Sequence, residues 1–311
     1  MMSGASLKRL SRGFLKRLSV TVLLQNLVDT KAREAVKAYR LRIRGNTPDM
    51  GAPGIVFCGC DDGYYKKFAP SFLLSAEKLE EPLHIHVHLY GPSQDTLDHI
   101  DRMRRTLRHV ALSFTWEDDS YKALSLPKPI YFSAARFLVL HHLLLACRAP
   151  ILCVDIDGII HRPLTDVFKM IERADVTLHF RLGERRVWRR VMAGAVGVSH
   201  TRESLGFCEK LASGIWSALH MRPSDHIDQP VIYYLYIIRR WLKRRIRWQH
   251  MPAHLVDVEF SEDSVIWSAK GARKEDAVFA QAASQLEAQY TLDVEQPHAL
   301  YAELRGSGTH G

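Results

Sequence analysis

Four short apolar runs set the frame of this chain: IVFCG at 55–59, HIHVHLY at 84–90, ALSFTW at 111–116 and ILCVD at 151–155, with helix-patterned segments between them. Those helices are read over about 68–79, from Gln94 to Arg105 and from Ser133 to about Leu145, after a turn at Asp61 to Gly63. Strands alternating with helices in this way give an α/β layer fold whose ligands lie outside the carboxyl ends of the strands. Further strands are read near Val176 to Phe180, Val191 to Val198, Leu255 to Phe260 and Val265 to Ser268. Helices are expected from Ser204 to Leu219, from Asp228 to about Arg245 and from about Glu275, with Pro230 in a first turn that tolerates it. The turn-rich stretch GNTPDMGAPG starts the domain near residue 51, so the expected division is an extension over 1–50, one domain over 51–288 and a loose tail over 289–311.

The most telling stretch is ILCVDIDGIIHRPLTDVF at 151–168, where an apolar strand delivers Asp155 and Asp157 at its carboxyl end. Side chains at i and i+2 of an extended segment point to the same side, so the pair can grip one hard cation that neutralises a diphosphate leaving group. Paired Asp residues after a strand also cap loops and helices, which is the plainer reading. A third reading is a haloacid-dehalogenase-type phosphatase, which presents its nucleophile on a similar Asp-x-Asp-Gly. Against it stand Ile159, where that pattern has Thr, three earlier strands, and the lack of a convincing later Lys with an acidic pair.

With 311 residues, 47% hydrophobic and 25% charged, the chain can bury a full core as one large domain or two small ones. No uninterrupted run approaches the roughly 18 apolar residues of a membrane span. The early run SVTVLLQNLV is broken by Gln25 and Asn26, and neither a transmembrane helix nor a cleaved signal is expected. Cys58, Cys60, Cys147, Cys153 and Cys208 lie in apolar patterns and read as reduced core residues of a cytoplasmic protein. His84, His86 and His88 share one strand face, which reads as a polar face and not a metal site.

The net charge of +9 is local, since residues 1–44 carry eleven Lys and Arg against Asp29 and Glu34. That argues against a uniformly basic nucleic-acid binder. The basic residues alternate with Leu10, Phe14, Leu15, Leu18, Val22 and Leu23, the pattern of an amphipathic helix that lies on an anionic membrane or packs on the core. A second cluster, IIRRWLKRRIRW at 237–248, sets Trp241 and Trp248 beside the basic residues of 239–247, again suiting a membrane interface or a solvated helix end.

Six ordered landmarks, IVFCGCDDGYY, SAARF, ILCVDIDG, VMAGAVGV, IDQPV and IWSAKGARK, together resemble the family 8 retaining glycosyltransferases, the group that includes glycogenin and bacterial lipopolysaccharide galactosyl- and glucosyltransferases. The resemblance implies a GT-A nucleotide-sugar transferase fold, a single mixed sheet flanked by helices, here with a basic helical N-terminal extension. It implies that Asp61 and Tyr64 contact the nucleotide, Arg136 the donor site, and Asp155 and Asp157 a Mn²⁺ or Mg²⁺ ion on the two phosphates of a UDP-sugar, with Ile156 counted among the donor contacts. Ala193 and Gly194 then abut the sugar pocket, where Met192 replaces the family's Asn. Asp228 and Gln229 correspond to the pair beside the donor sugar. The family's His-x-x-Gly-x-x-Lys appears as Ser268, Gly271 and Lys274, so its metal-binding His is missing.

The reading is a hexosyltransferase acting on a glycan or lipid-linked acceptor, cytoplasmic and peripheral on the inner face of the cell membrane. A Gln cannot serve as a strong base or nucleophile, so the leaving phosphate is expected to help deprotonate the acceptor. The departures at Met192 and Ser268 leave a non-catalytic sugar-nucleotide-binding or scaffold protein as the other alternative.

Overall fold

The computed structural model of the protein describes residues 30–295, apart from residues 51, 119–121, 123, 182, 187–188, 224–225 and 242–244. The chain runs through α1 (Thr30–Arg40), β1 (Arg44–Gly45), β2 (Ile55–Asp61), α2 (Asp62–Glu77), β3 (Leu83–Tyr90), α3 (Gln94–Thr106), β4 (Val110–Glu117), α4 (Lys128–Cys147) and β5 (Ile151–Val154). It continues through β6 (Gly158–Ile160), α5 (Thr165–Glu172), β7 (Val176–Phe180), β8 (Val191–Val198), α6 (Arg202–His220), α7 (Asp228–Trp241), β9 (Trp248–His250), β10 (Val256–Asp257), β11 (Ile266–Ser268) and α8 (Ala277–Glu295).

An eight-stranded mixed sheet in the order β1-β4-β3-β2-β5-β8-β7-β9 forms the centre. Strands β4, β3, β2 and β5 are parallel neighbours, and β8 joins β5 and β7 antiparallel. All eight residues of β8 are buried, as expected of a strand covered on both faces. One apolar cluster, built on α4, α6 and α7, covers one face, and a second, built on α2, covers the other. A small sheet, β10-β11-β6, stands beside this layer, and the chain enters it from β5 through Asp155, Ile156 and Asp157.

Several boundaries differ from the sequence expectation for local reasons. No turn separates β2 from its helix: the Asp61 carboxylate accepts from the Tyr64 N–H at 2.8 Å and caps α2, which starts at Asp62. Helix α4 starts at Lys128, five residues before Ser133, with Pro in its opening turn, where a missing N–H is harmless. The expected strand from Leu255 to Phe260 shrinks to Val256–Asp257, and a 3-10 turn at Gly271–Glu275 precedes α8, which starts at Ala277 and not Glu275.

Helix α4 is long and apolar enough, by length and composition, to cross a membrane, although 72% of its most apolar window is buried within the protein. Arg136, His141 and His142 hide its apolar length from a reading of uninterrupted runs, and its burial makes it a core helix of this domain.

The described part of the basic extension packs on the core, where α1 buries Ala32, Val36 and Tyr39. Leu10, Phe14, Leu15, Leu18, Val22 and Leu23 lie outside the described residues, as do Lys243, Arg244 and the tail beyond 295. Of the second basic cluster, Arg247 is bound to Asp175 at 3.1 Å, and Trp248 packs edge-on against Phe207 and Tyr236. These two residues serve the fold.

The five cysteines are free and buried. His84, His86 and His88 form a ladder with the hydroxyls of Ser113 and Thr115 on β4, at 2.8–2.9 Å.

The small sheet depends on close backbone approach at Gly158. A Cβ there would meet the Trp267 carbonyl oxygen at 2.6 Å. Gly158→Ala is therefore expected to lower stability by about 1–3 kcal/mol, read as a lower urea midpoint at unchanged slope.

Candidate active site

The carboxyl ends of β2 and β5 open on a cleft of about 330 Å³. Asp61 and Tyr64 come to it from the β2–α2 junction, Arg136 from the middle of α4, and Asp155, Ile156 and Asp157 from the link between the sheets. Ala193 and Gly194 come from β8, Asp228 and Gln229 from the start of α7, and Gly271 and Lys274 from the 3-10 turn after β11. Every site residue singled out in the sequence thus borders one cavity.

Asp155 is its electrostatic hub. Arg136 donates to Oδ1, and the Lys270 ammonium donates to Oδ2 at 2.6 Å. Arg136, 4% exposed, also donates to the Ala193 carbonyl at 3.0 Å and faces Asp228 Oδ2 at 3.4 Å. Its guanidinium therefore holds the floor of the site together. Burial opposes the charged form of Asp155, but Arg136 and Lys270 outweigh it and hold this carboxyl well below the usual carboxylate range.

Asp157 behaves differently. Its Oδ2 pairs with Lys274 at 2.8 Å, whereas its Oδ1 is buried without a protein partner. Burial and the neighbouring Asp155 charge push its pKa up to about 6 against the pull of Lys274.

Lys274 also bonds the Tyr64 hydroxyl and stands 4.5 Å from the centre of that ring. Tyr64 is 42% exposed, leaving an aromatic platform at the mouth. Asp228 accepts from the Gln229 N–H at 2.8 Å, fixing the first turn of α7. Gly271 has a φ of +60°, which favours glycine at the bend that brings Lys270 and Lys274 to the same cleft.

Lys270 was not legible as a site residue. It lies in IWSAKGARK four residues before Lys274, and only the fold shows it reaching Asp155. Lys128, Phe132, Ser133 and His226 also line the cleft, and the Ser133 hydroxyl lies 3.0 Å from His226 Nδ1. Their sequence signal was proximity to SAARF and IDQPV. Met192 is 4% exposed and packs in the core. Ser268 is buried, with its Oγ unpartnered.

These residues do not fit a resident Mn²⁺ or Mg²⁺ ion. Among the described residues no group of three His, Cys, Asp or Glu side chains could hold a metal. Both oxygens of Asp155 and one of Asp157 already face side-chain cations. A divalent ion bonded to Asp155 Oδ2 would stand within about 5 Å of the Lys270 ammonium, a repulsion of about 2 kcal/mol even at the dielectric of water.

No protein-family model matches the sequence, and none of the curated proteins does. Solved structures do match in fold. The galactosyltransferase LgtC in complex with donor and acceptor sugar analogs aligns at a TM-score of 0.53 and 16% identity, over 75% of this chain and 95% of that one. The glycosyltransferase GlyE of Streptococcus pneumoniae TIGR4 aligns at 0.51 and 12% identity, over 80% of this chain and 64% of that one. The bifunctional glycosyltransferase WbbM aligns at 0.52 and 9% identity, over 76% and 50%. The fold is accordingly that of the GT-A glycosyltransferases. The phosphatase reading is set aside, since the fold matches those glycosyltransferases.

Proposed function

We propose that the cleft transfers a hexose from a UDP-sugar to a glycan or lipid-linked acceptor, with retention of anomeric configuration. The observation that carries this reading is the meeting, at the carboxyl edge of a GT-A sheet, of Lys270 and Lys274 on one side with the Asp228–Gln229 helix start on the other. The LgtC structures add support, one with donor and acceptor sugar analogs and another of a Gln-to-Glu active-site variant.

In this reaction the bond from the anomeric carbon to the phosphate oxygen breaks, and UDP departs with the electron pair. The acceptor hydroxyl oxygen bonds to that carbon from the same face, and its proton passes to the departing phosphate. Lys270 and Lys274 offset charge that grows on the diphosphate, so they stabilise the transition state more than the bound donor. Tyr64 offers its ring to the base, and Arg136 positions Asp155 and Asp228. Gln229, an amide with no basic group, serves as a hydrogen-bonding partner of the sugar.

A lipid-linked acceptor is favoured by the surface at the end of α7, where Trp241 is 80% exposed and Ile237 is 42% exposed beside Arg240. The test is calorimetric titration with UDP, UDP-hexoses, other nucleoside diphosphates and inorganic phosphate. Indifference to every nucleotide would return the chain to the scaffold reading. Gln229→Ala is expected to lower kcat about 100-fold while leaving UDP affinity within a few-fold, as for a contact made on the way to the transition state. An unchanged kcat would make Gln229 a structural residue.

A further inference from the structure

We infer that Lys270 does here what a divalent cation would do, so that this protein binds the donor diphosphate and transfers its sugar without a metal ion. The inference rests on the proposed nucleotide-sugar reading of the same cleft and changes its charge chemistry.

The site is built around this ammonium. Lys270 Nζ lies 2.6 Å from Asp155 Oδ2, with its side chain 30% exposed, so it faces both the acidic floor and the cavity. Gly194 makes room for it: a Cβ on that residue would stand 2.0 Å from Lys270 Nζ and 2.7 Å from Asp155 Oδ2. The lysine tip fills the hollow that the glycine leaves on a fully buried strand. Lys274 takes Asp157 in the same way at 2.8 Å. The two lysines lie on either side of Gly271, whose backbone bends between them.

Asp155 and Asp157 thus have fixed ammonium and guanidinium partners in place of a shared ion, and of their four carboxylate oxygens only Asp157 Oδ1 faces no side-chain cation. A lysine is a compact point charge with three rotatable donors, so Lys270 can hold the carboxylate with one and a phosphate oxygen with another. As the glycosidic bond breaks, the electron pair moves onto that phosphate. The ammonium meets the new charge without giving up its proton, and the acceptor proton completes the balance on the leaving UDP.

UDP titration separates the outcomes. With the purified 311-residue chain, UDP is expected to bind equally, within about twofold, in EDTA and in millimolar Mn²⁺. Lys270→Met should weaken UDP binding in EDTA about 10–100-fold, the usual effect of losing one charge-assisted contact. Circular dichroism and the thermal midpoint verify that the variant folds, and Lys270→Arg provides a second variant that keeps the charge. If UDP binds the native protein only with Mn²⁺, or if Lys270→Met binds UDP in EDTA as well as the native protein does, the inference is overturned while the nucleotide reading stands. If no nucleotide binds under either condition, the nucleotide reading itself fails.

Discussion

Arg136→Met is expected to lower the free energy of unfolding by about 3–5 kcal/mol, the usual consequence of removing one partner from a buried ion pair. The loss arises because Asp155 and Asp228 are both turned toward this guanidinium, and Asp228 would keep only the Gln229 N–H. Urea denaturation gives the value. Adding Asp155→Asn should recover part of the loss, since the carboxylate left without its main partner is then gone, and a double-mutant cycle measures the coupling. Full additivity would show that the pair is not the source. The cleft carboxylate is thus a structural keystone, and an inactive Asp155 variant must be tested for folding before its chemistry is interpreted.

Lowering the pH from 7 to 5 should also destabilise the protein by several kcal/mol through the buried histidine ladder. His86 and His88 are fully buried, and burial holds both pKa values far below 6.5, with His88 near 3 and His86 further depressed by His88 itself. They remain neutral in the folded protein, whereas the unfolded chain takes up their protons below its pKa of about 6.5. The unfolded state therefore binds more protons, and stability falls as pH drops below that value, by about 2 kcal/mol for each histidine at pH 5. Asp157, with its folded pKa raised to about 6, acts in the opposite sense over the same window and returns about 1 kcal/mol. Urea midpoints at the two pH values test this, with His88→Gln expected to flatten the dependence. A wild-type midpoint that does not move would mean the ladder already carries protons in the folded state.

Much of this fold was legible because its strands are short, apolar and separated by strongly patterned helices. IVFCG and VMAGAVGV are almost wholly buried in central positions of the sheet, and no competing helical pattern obscures them. The short elements were not legible. Strand β6, only Gly158–Ile160, takes its identity from pairing with β11 and not from its own sequence. Helix α5 was not read at all, because Thr165–Glu172 is too short to declare its period. Cleft-lining residues were legible where a motif carried them. Lys270 escaped because nothing in its own neighbourhood tells a surface lysine from one that reaches across to a carboxylate 115 positions earlier. Arg136 does border the cleft, but its choice between phosphate and carboxylate was set by tertiary packing.

The small sheet gives the cleft a property that neither its acids nor its cations have alone. Asp157 leads directly into β6, and Lys270 and Lys274 follow β11, which pairs with β6 through Ile266↔Ile160, Trp267↔Ile159 and Ser268↔Gly158. Three residue pairs therefore set the phase between a negative segment and a positive one. A slip of one residue would carry both lysines about 3.3 Å along the strand and turn each following side chain to the opposite face. Insertions or deletions between Asp257 and Val265 would thus behave as changes to the electrostatic alignment of the site, although that loop touches none of its chemistry.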